Sequence, residues 1–120
     1  MTHQLITHTH IDHSPAARLV KEATGAQTWG YGPHGGDRGG PKVEEGGDHD
    51  FAPDHVIRDG DIVQGDGWSV EAVHTPGHTS NHICFGLREE KALFTGDHVM
   101  CWSTTVVAPP DGNMTDYFHS

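Results

Sequence analysis

His8-Thr9-His10-Ile11-Asp12-His13 places three imidazoles and one carboxylate within six residues. Imidazole nitrogen and carboxylate oxygen are the ordinary ligands of zinc, iron and manganese. His8 and His10 alternate by two, so on an extended backbone both side chains point the same way and can share one ion. Asp12 and His13 lie past that extended stretch, where the chain turns, and can hold a second ion beside the first. The hexapeptide therefore reads as the kernel of a metal site, with room for two ions.

The residues around it give the local frame. His3-Gln4-Leu5-Ile6-Thr7 reads as a short strand running into the cluster. Ser14-Pro15 reads as N-cap and first residue of a helix. Ala16 to Ala23 continues that helix, with Leu19, Val20 and Ala23 on one face, and Gly25 supplies its stop. Residues 1–25 thus form a strand, ligand loop and helix. Such a unit sets the ligands at the C-terminal end of a strand, where sites on α/β sheets lie.

Trp29 to Gly47 is mostly Gly, Pro and charge and predicts a surface loop, and 30–50 is taken as the Gly-rich loop of the domain. Gly30-Tyr31-Gly32-Pro33-His34-Gly35 matches G-x-G-x-x-G formally. It is rejected as a dinucleotide fingerprint, because Pro33 and Gly35-Gly36 stand where a helix should begin. Residues 54–100 read as a β-meander. Asp59-Gly60 and Asp66-Gly67 are turn signals, Trp68 to Val73 alternates as a strand, and His82 to Leu87 is another. Arg88-Glu89-Glu90-Lys91 turns the chain into Ala92-Leu93-Phe94-Thr95. Residues 101–120 look irregular, with Pro109-Pro110-Asp111-Gly112 as a turn and Thr115 to Ser120 starting a helix.

Composition narrows the function classes. The 120 residues suit one small domain, and only 33% are hydrophobic, so the core is thin. A net charge of -10 disfavours nucleic acid, since phosphate contacts need Lys and Arg. Cys84 and Cys101 make no disulfide framework, and Cys84 sits in an apolar run as a buried small hydrophobe. A reducing, cytoplasmic compartment is expected. Neither a signal peptide nor a membrane span is expected, for want of an apolar h-region or a run of 18 apolar residues.

Two later motifs add chemistry. In His74-Thr75-Pro76-Gly77-His78-Thr79-Ser80-Asn81-His82 the Pro76-Gly77 turn can swing His78 inward. In Thr95-Gly96-Asp97-His98 the Asp97 carboxylate can bridge two cations. T-H-T-H-x-D-H-S, then T-P-G-H-T-x-x-H, then F-T-G-D resemble, in that order, the metallo-β-lactamase-fold hydrolase superfamily. The similarity is strongest to the branch with glyoxalase II and the β-lactamase-like protein 2 group. Gly67-Trp68-Ser69-Val70-Glu71-Ala72-Val73 and Ser103-Thr104-Thr105-Val106-Val107 look like the latter.

That resemblance implies an enzyme. His8, His10 and His78 match ligands of a first zinc, Asp12 and His13 ligands of a second, and Asp97 the bridging carboxylate. One or two Zn2+ ions are implied, with Fe or Mn as alternatives. In this superfamily a water or hydroxide between the metals attacks an ester, thioester, lactam or phosphodiester. Asp12 would ligate one ion and share a base role. His82 matches a position beside the ligands, and Thr104 and Thr105 would line the substrate mouth. His74 reads as structural. His3, His34, His49, His55, His98 and His119 match no ligand position and read as surface residues.

The implied fold is α/β, a partial four-layer αββα sandwich over residues 1–120. Against the superfamily pattern it lacks the N-terminal strands and the C-terminal half with its last histidine ligand. Weakened occupancy of the second ion follows as an expectation. The expected partner is a small-molecule ester or thioester. Single-stranded RNA enters through endonucleases of the same branch, against the acidic charge. A metal-binding fragment without catalysis is the competing class. A nonheme-iron or flavodiiron-like redox protein ranks below both.

Overall fold

A computed structural model of the protein describes residues 1–35, 46–109 and 111–120. Two sheets face each other across one core. β1 (His3–Leu5), β2 (Gln27–Gly30) and β3 (His55–Val56) form a parallel sheet in that order. β4 (Ile62–Gly65), β5 (Trp68–His74), β6 (Ile83–Leu87) and β7 (Ala92–Phe94) form an antiparallel sheet, also in sequence order. Helix α1 (Ala16–Thr24) crosses from β1 to β2, and α2 (Met114–His119) ends the chain. This is the α/β sandwich expected from the motifs.

The strand pattern explains where the core sits. In β5, Val70 and Ala72 point inward and are buried, while Val73 is exposed. Ile57, Val63, Val70, Ala72, Ile83 and Phe85 make the core cluster. Leu5 and Trp29 of the parallel sheet pack against it. Ile83, Cys84 and Phe85 are all buried, and successive strand residues face opposite ways, so β6 is covered on both faces. Thr75 and Thr95, in the loops that follow β5 and β7, meet Cys84 on the second face.

α1 is short and is held by specific contacts rather than by a broad apolar face. Gln4 Nε2 donates to the carbonyls of Ala17 (3.1 Å) and Ala26 (2.9 Å). Lys21 Nζ reaches Asp54 Oδ1 at 2.6 Å, and Asp54 Oδ2 accepts from Thr28 N and Oγ1. Gly25 closes the helix in the left-handed region at φ 75°, donating its N–H to the Lys21 carbonyl, as the sequence predicted.

Several expectations are corrected. The first strand ends at Leu5 rather than Thr7. Ser14 does not cap α1 with its side chain, because its hydroxyl donates to Asp48 Oδ2 at 2.7 Å; Pro15 holds the cap position. Leu19 is 62% exposed and Ala23 is exposed, whereas Ala17 is the buried residue of α1. The stretch read as a loop from Trp29 begins inside β2. Four residues are too few to show periodicity, and pairing with β1 and β3 supplies what local propensity lacks. Residues 36–45, the middle of that Gly-rich stretch, lie outside the described residues, as does Pro110 of the predicted turn.

Candidate metal centre

The first ligand loop leaves the parallel sheet and is fixed by backbone bonds on both sides. Ile83 N donates to Thr7 O at 2.7 Å, joining the loop to the start of β6. Asp48 N donates to Thr9 O, Ile11 N donates to Gly46 O, and His10 pairs with Gly47 as an isolated bridge. His13 N and Ser14 N both fold back onto the His10 carbonyl. The chain therefore reverses between His10 and His13, which turns His13 toward His8, with ring centroids 4.0 Å apart.

The other two loops come from the antiparallel sheet. Thr75 to His82 joins β5 to β6 and delivers His78, and the turn after β7 delivers Asp97. The ligand atoms of His8, His10 and His78 lie within 4.8 Å of one another, as do those of His8, His13 and Asp97. Two ligands about 2.1 Å from one ion at the tetrahedral angle stand about 3.4 Å apart. Asp97 Oδ2 is 3.5 Å from His78 Nε2 and 3.8 Å from His8 Nε2. Asp97 Oδ1 is 3.4 Å from His13 Nε2, and Asp12 Oδ2 is 3.6 Å from that same nitrogen. One carboxylate thus turns each of its oxygens to a different group of imidazoles.

The donor set fits a metal. His8 is buried, and its Nε2 has no hydrogen-bond partner among the described residues; a buried polar atom left this way is rare in the absence of a ligand. His78 Nδ1 donates to the Val106 carbonyl (2.5 Å), which leaves the Nε2 lone pair on the side of Asp97. Burial, then the neighbouring imidazoles, holds His8 far below its ordinary pKa and pushes His10 down to about 4. Neutral imidazoles are what cation binding requires.

Behind the ligands lies a buried polar layer. His82 Nε2 accepts the backbone N–H of Asp97 at 3.1 Å, and its Nδ1 is 2.8 Å from Thr75 Oγ1. Burial first, then His78, lowers the His82 pKa to about 3. Asn81 Nδ2 donates to Thr9 Oγ1 (2.7 Å) and to the Gly32 and Pro33 carbonyls. Because Thr9 Oγ1 accepts from Asn81, it can donate to His34 Nδ1 at 2.8 Å.

The sequence-derived candidates divide accordingly. His8, His10, His13, His78 and Asp97 come together. Asp12 stands at the outer side of His13 with a side chain 56% exposed. His82 touches the backbone of Asp97 rather than facing outward. Thr105 Oγ1 donates to the carbonyls of Asp97 and His98, and Thr104 is exposed on the same loop. His34, read as a surface residue, instead lies half-buried against Thr9 between two ligands, and His98 carries a buried Nδ1. Thr9, Asn81, Val106 and Asp111 were missed. Thr9 and Asn81 sit inside the quoted motifs, so their place between ligands was the available signal. Val106 and Asp111 sit in quoted stretches too, but as part of a family-like segment and of a turn, with nothing there that pointed to these contacts.

Comparison with known proteins agrees with this geometry. A model of the metallo-beta-lactamase superfamily matches residues 4–120. The chain belongs to the metallo-beta-lactamase superfamily. It is 36% identical over 105 residues to the hydroxyacylglutathione hydrolase GloC of Haemophilus influenzae, covering 78% of this chain and 47% of that protein. It is 36% identical over 110 residues to an atrochrysone carboxyl ACP thioesterase of Paecilomyces divaricatus, covering 89% and 30%. The crystal structure of ETHE1 from Myxococcus xanthus matches 98% of this chain and 44% of its own, with TM-score 0.71 and 26% identity. The chain spans less than half the length of these metallo-beta-lactamase relatives. No helix among the described residues is long and apolar enough to cross a membrane.

Proposed function

We propose that this chain carries the metal-binding centre of a thioester hydrolase. The observation that carries the reading is Asp97, whose two oxygens face His8 and His78 on one side and His13 on the other. His8, His10 and His78 would hold one zinc ion, and Asp12 and His13 a second, with Asp97 between them. Iron or manganese would suit the same nitrogen and oxygen donors. A metal held there would lower the pKa of water to near neutrality and would polarise the scissile carbonyl.

The residues of the chain do the rest. His82 and Thr105 fix the backbone on either side of Asp97, so its carboxylate faces the imidazoles without reorganising. Asp12, exposed at the open side of His13, is placed to take a proton from the attacking water and return it to the leaving thiolate. The choice of thioester follows the relatives named hydroxyacylglutathione hydrolase and ACP thioesterase. The free cysteines suit the reducing cell interior, where such thiol carriers reside.

The test is hydrolysis of a hydroxyacylglutathione thioester by zinc-loaded protein, followed by release of free thiol. Turnover abolished by His10→Ala and reduced by Asp12→Asn supports the reading. Equal turnover in all three proteins overturns it.

A further inference from the structure

We propose that the described residues between Thr105 and Ser120 act as a clamp that sets the His78 turn against the Asp97 loop, with Tyr117 and Asp111 as its positioning residues. The proposal rests on the metal-centre reading above and concerns residues outside the ligand motifs.

The two loops it joins leave different strands. On the Asp97 side, Thr105 Oγ1 donates to the carbonyls of Asp97 (2.9 Å) and His98 (3.0 Å). Tyr117 OH donates to the His98 carbonyl at 3.0 Å. On the His78 side, Val106 O accepts from the His78 ring, and Asn113 N donates to Gly77 O at 2.7 Å. Asp111 accepts from Ser80 twice, Oδ2 from the backbone N–H (2.9 Å) and Oδ1 from the hydroxyl (2.6 Å). Ser120 Oγ donates to Pro76 O at 2.7 Å. Thr105 and Tyr117 hold the Asp97 loop, while Val106, Asp111, Asn113 and Ser120 hold the His78 turn, so one segment is tied to both loops.

Tyr117 is where both attachments meet. A Cβ on Gly77 would lie 2.4 Å from Tyr117 Cβ and 2.5 Å from its Cα, so α2 packs its backbone against the turn that aims His78. Gly77 also sits at φ 146°, which favours glycine. The other end of the same side chain reaches the residue after Asp97. α2 has six residues, and a helix that short is marginal alone. Its order comes from these contacts and from Asn113, whose Oδ1 accepts from Asp116 N. A carbonyl that orients a ligating histidine typically changes metal affinity about 10–100-fold when lost.

The experiment is a cobalt(II) titration read by visible absorption, with zinc affinity by competition, on the wild type and on Tyr117→Phe/Asp111→Asn. Affinity about 10–100-fold weaker, with an altered cobalt band, supports the clamp. Wild-type affinity and band overturn it. Ser69→Ala, which removes a surface bond to Glu89, should leave both readouts unchanged and so separates positioning from general destabilisation. If the double variant does not fold, Tyr117→Phe alone is read in the same way, with a smaller loss expected. If the wild type takes up no cobalt, the metal reading fails by itself. The clamp is then judged in metal-free protein by the His78 Nδ1–H proton signal. A signal present in the wild type and lost to exchange in the variant supports it; equal protection overturns it.

Discussion

His82 Nε2 accepts the Asp97 backbone N–H at 3.1 Å, while its Nδ1 lies 2.8 Å from Thr75 Oγ1. An amide can only donate, so Nε2 is unprotonated and Nδ1 carries the hydrogen. A fully buried imidazole in one tautomer thus fixes the start of the Asp97 loop. His82→Ala would leave that N–H unsatisfied and open a cavity beside the ligands. Zinc affinity measured by competition should fall about 10–100-fold. His82→Gln, whose amide oxygen can accept, should recover part of the loss. Equal affinity in all three proteins would detach His82 from the metal site.

Asp54 gives a pH signature away from the metal. The Lys21 ammonium, then the Thr28 N–H, holds its carboxyl below the ordinary carboxylate range. A lowered folded-state pKa stabilises above the unfolded value, about 3.9, and that contribution is lost as pH falls through the folded value. Asp54→Asn should therefore lower the melting temperature at pH 7, with the gap from wild type narrowing below about pH 4. A gap that is constant with pH would mean the carboxylate charge contributes nothing.

The core prediction concerns Phe85, 2% exposed in the doubly covered strand β6. Phe85→Ala should cost about 3–5 kcal/mol, a large share of a small domain's stability. Leu19, 62% exposed, should tolerate Ala within about 0.5 kcal/mol. Urea melts compare the two.

Ser14 ties the ligand loop to Asp48 through its hydroxyl. Ser14→Ala should cost about 1 kcal/mol and free the segment that pairs with Thr9 and Ile11. Hydrogen exchange at Asp48 N and Ile11 N reads this, and unchanged protection at both would count against the tie.

The convergence of the candidate ligands was easier to read in the sequence than their support. His8, His10, His13, His78 and Asp97 were legible because ligand chemistry restricts residue type and spacing. β5 was legible because Trp68 to Val73 alternates. β2 was not, since Gln27–Gly30 owes its conformation to neighbours at residues 3–5 and 55–56. Ser14 misled for a related reason. Its capping preference is a local tendency, and the distant Asp48 carboxylate outcompeted it. His34 and Tyr117 carry no spacing signal, because each meets the site only through tertiary contacts from segments outside the motifs.

Three separate loops converge through Asp97 on one candidate metal centre. Equilibrium zinc binding, with elemental analysis of the loaded protein, measures this on the wild type, His78→Ala and Asp97→Ala. The wild type should hold at least one tight equivalent, and each substitution should remove tight binding although it lies more than sixty residues from the opening hexapeptide. Wild-type stoichiometry and affinity in both variants would contradict the account, since the hexapeptide would then bind metal without the fold.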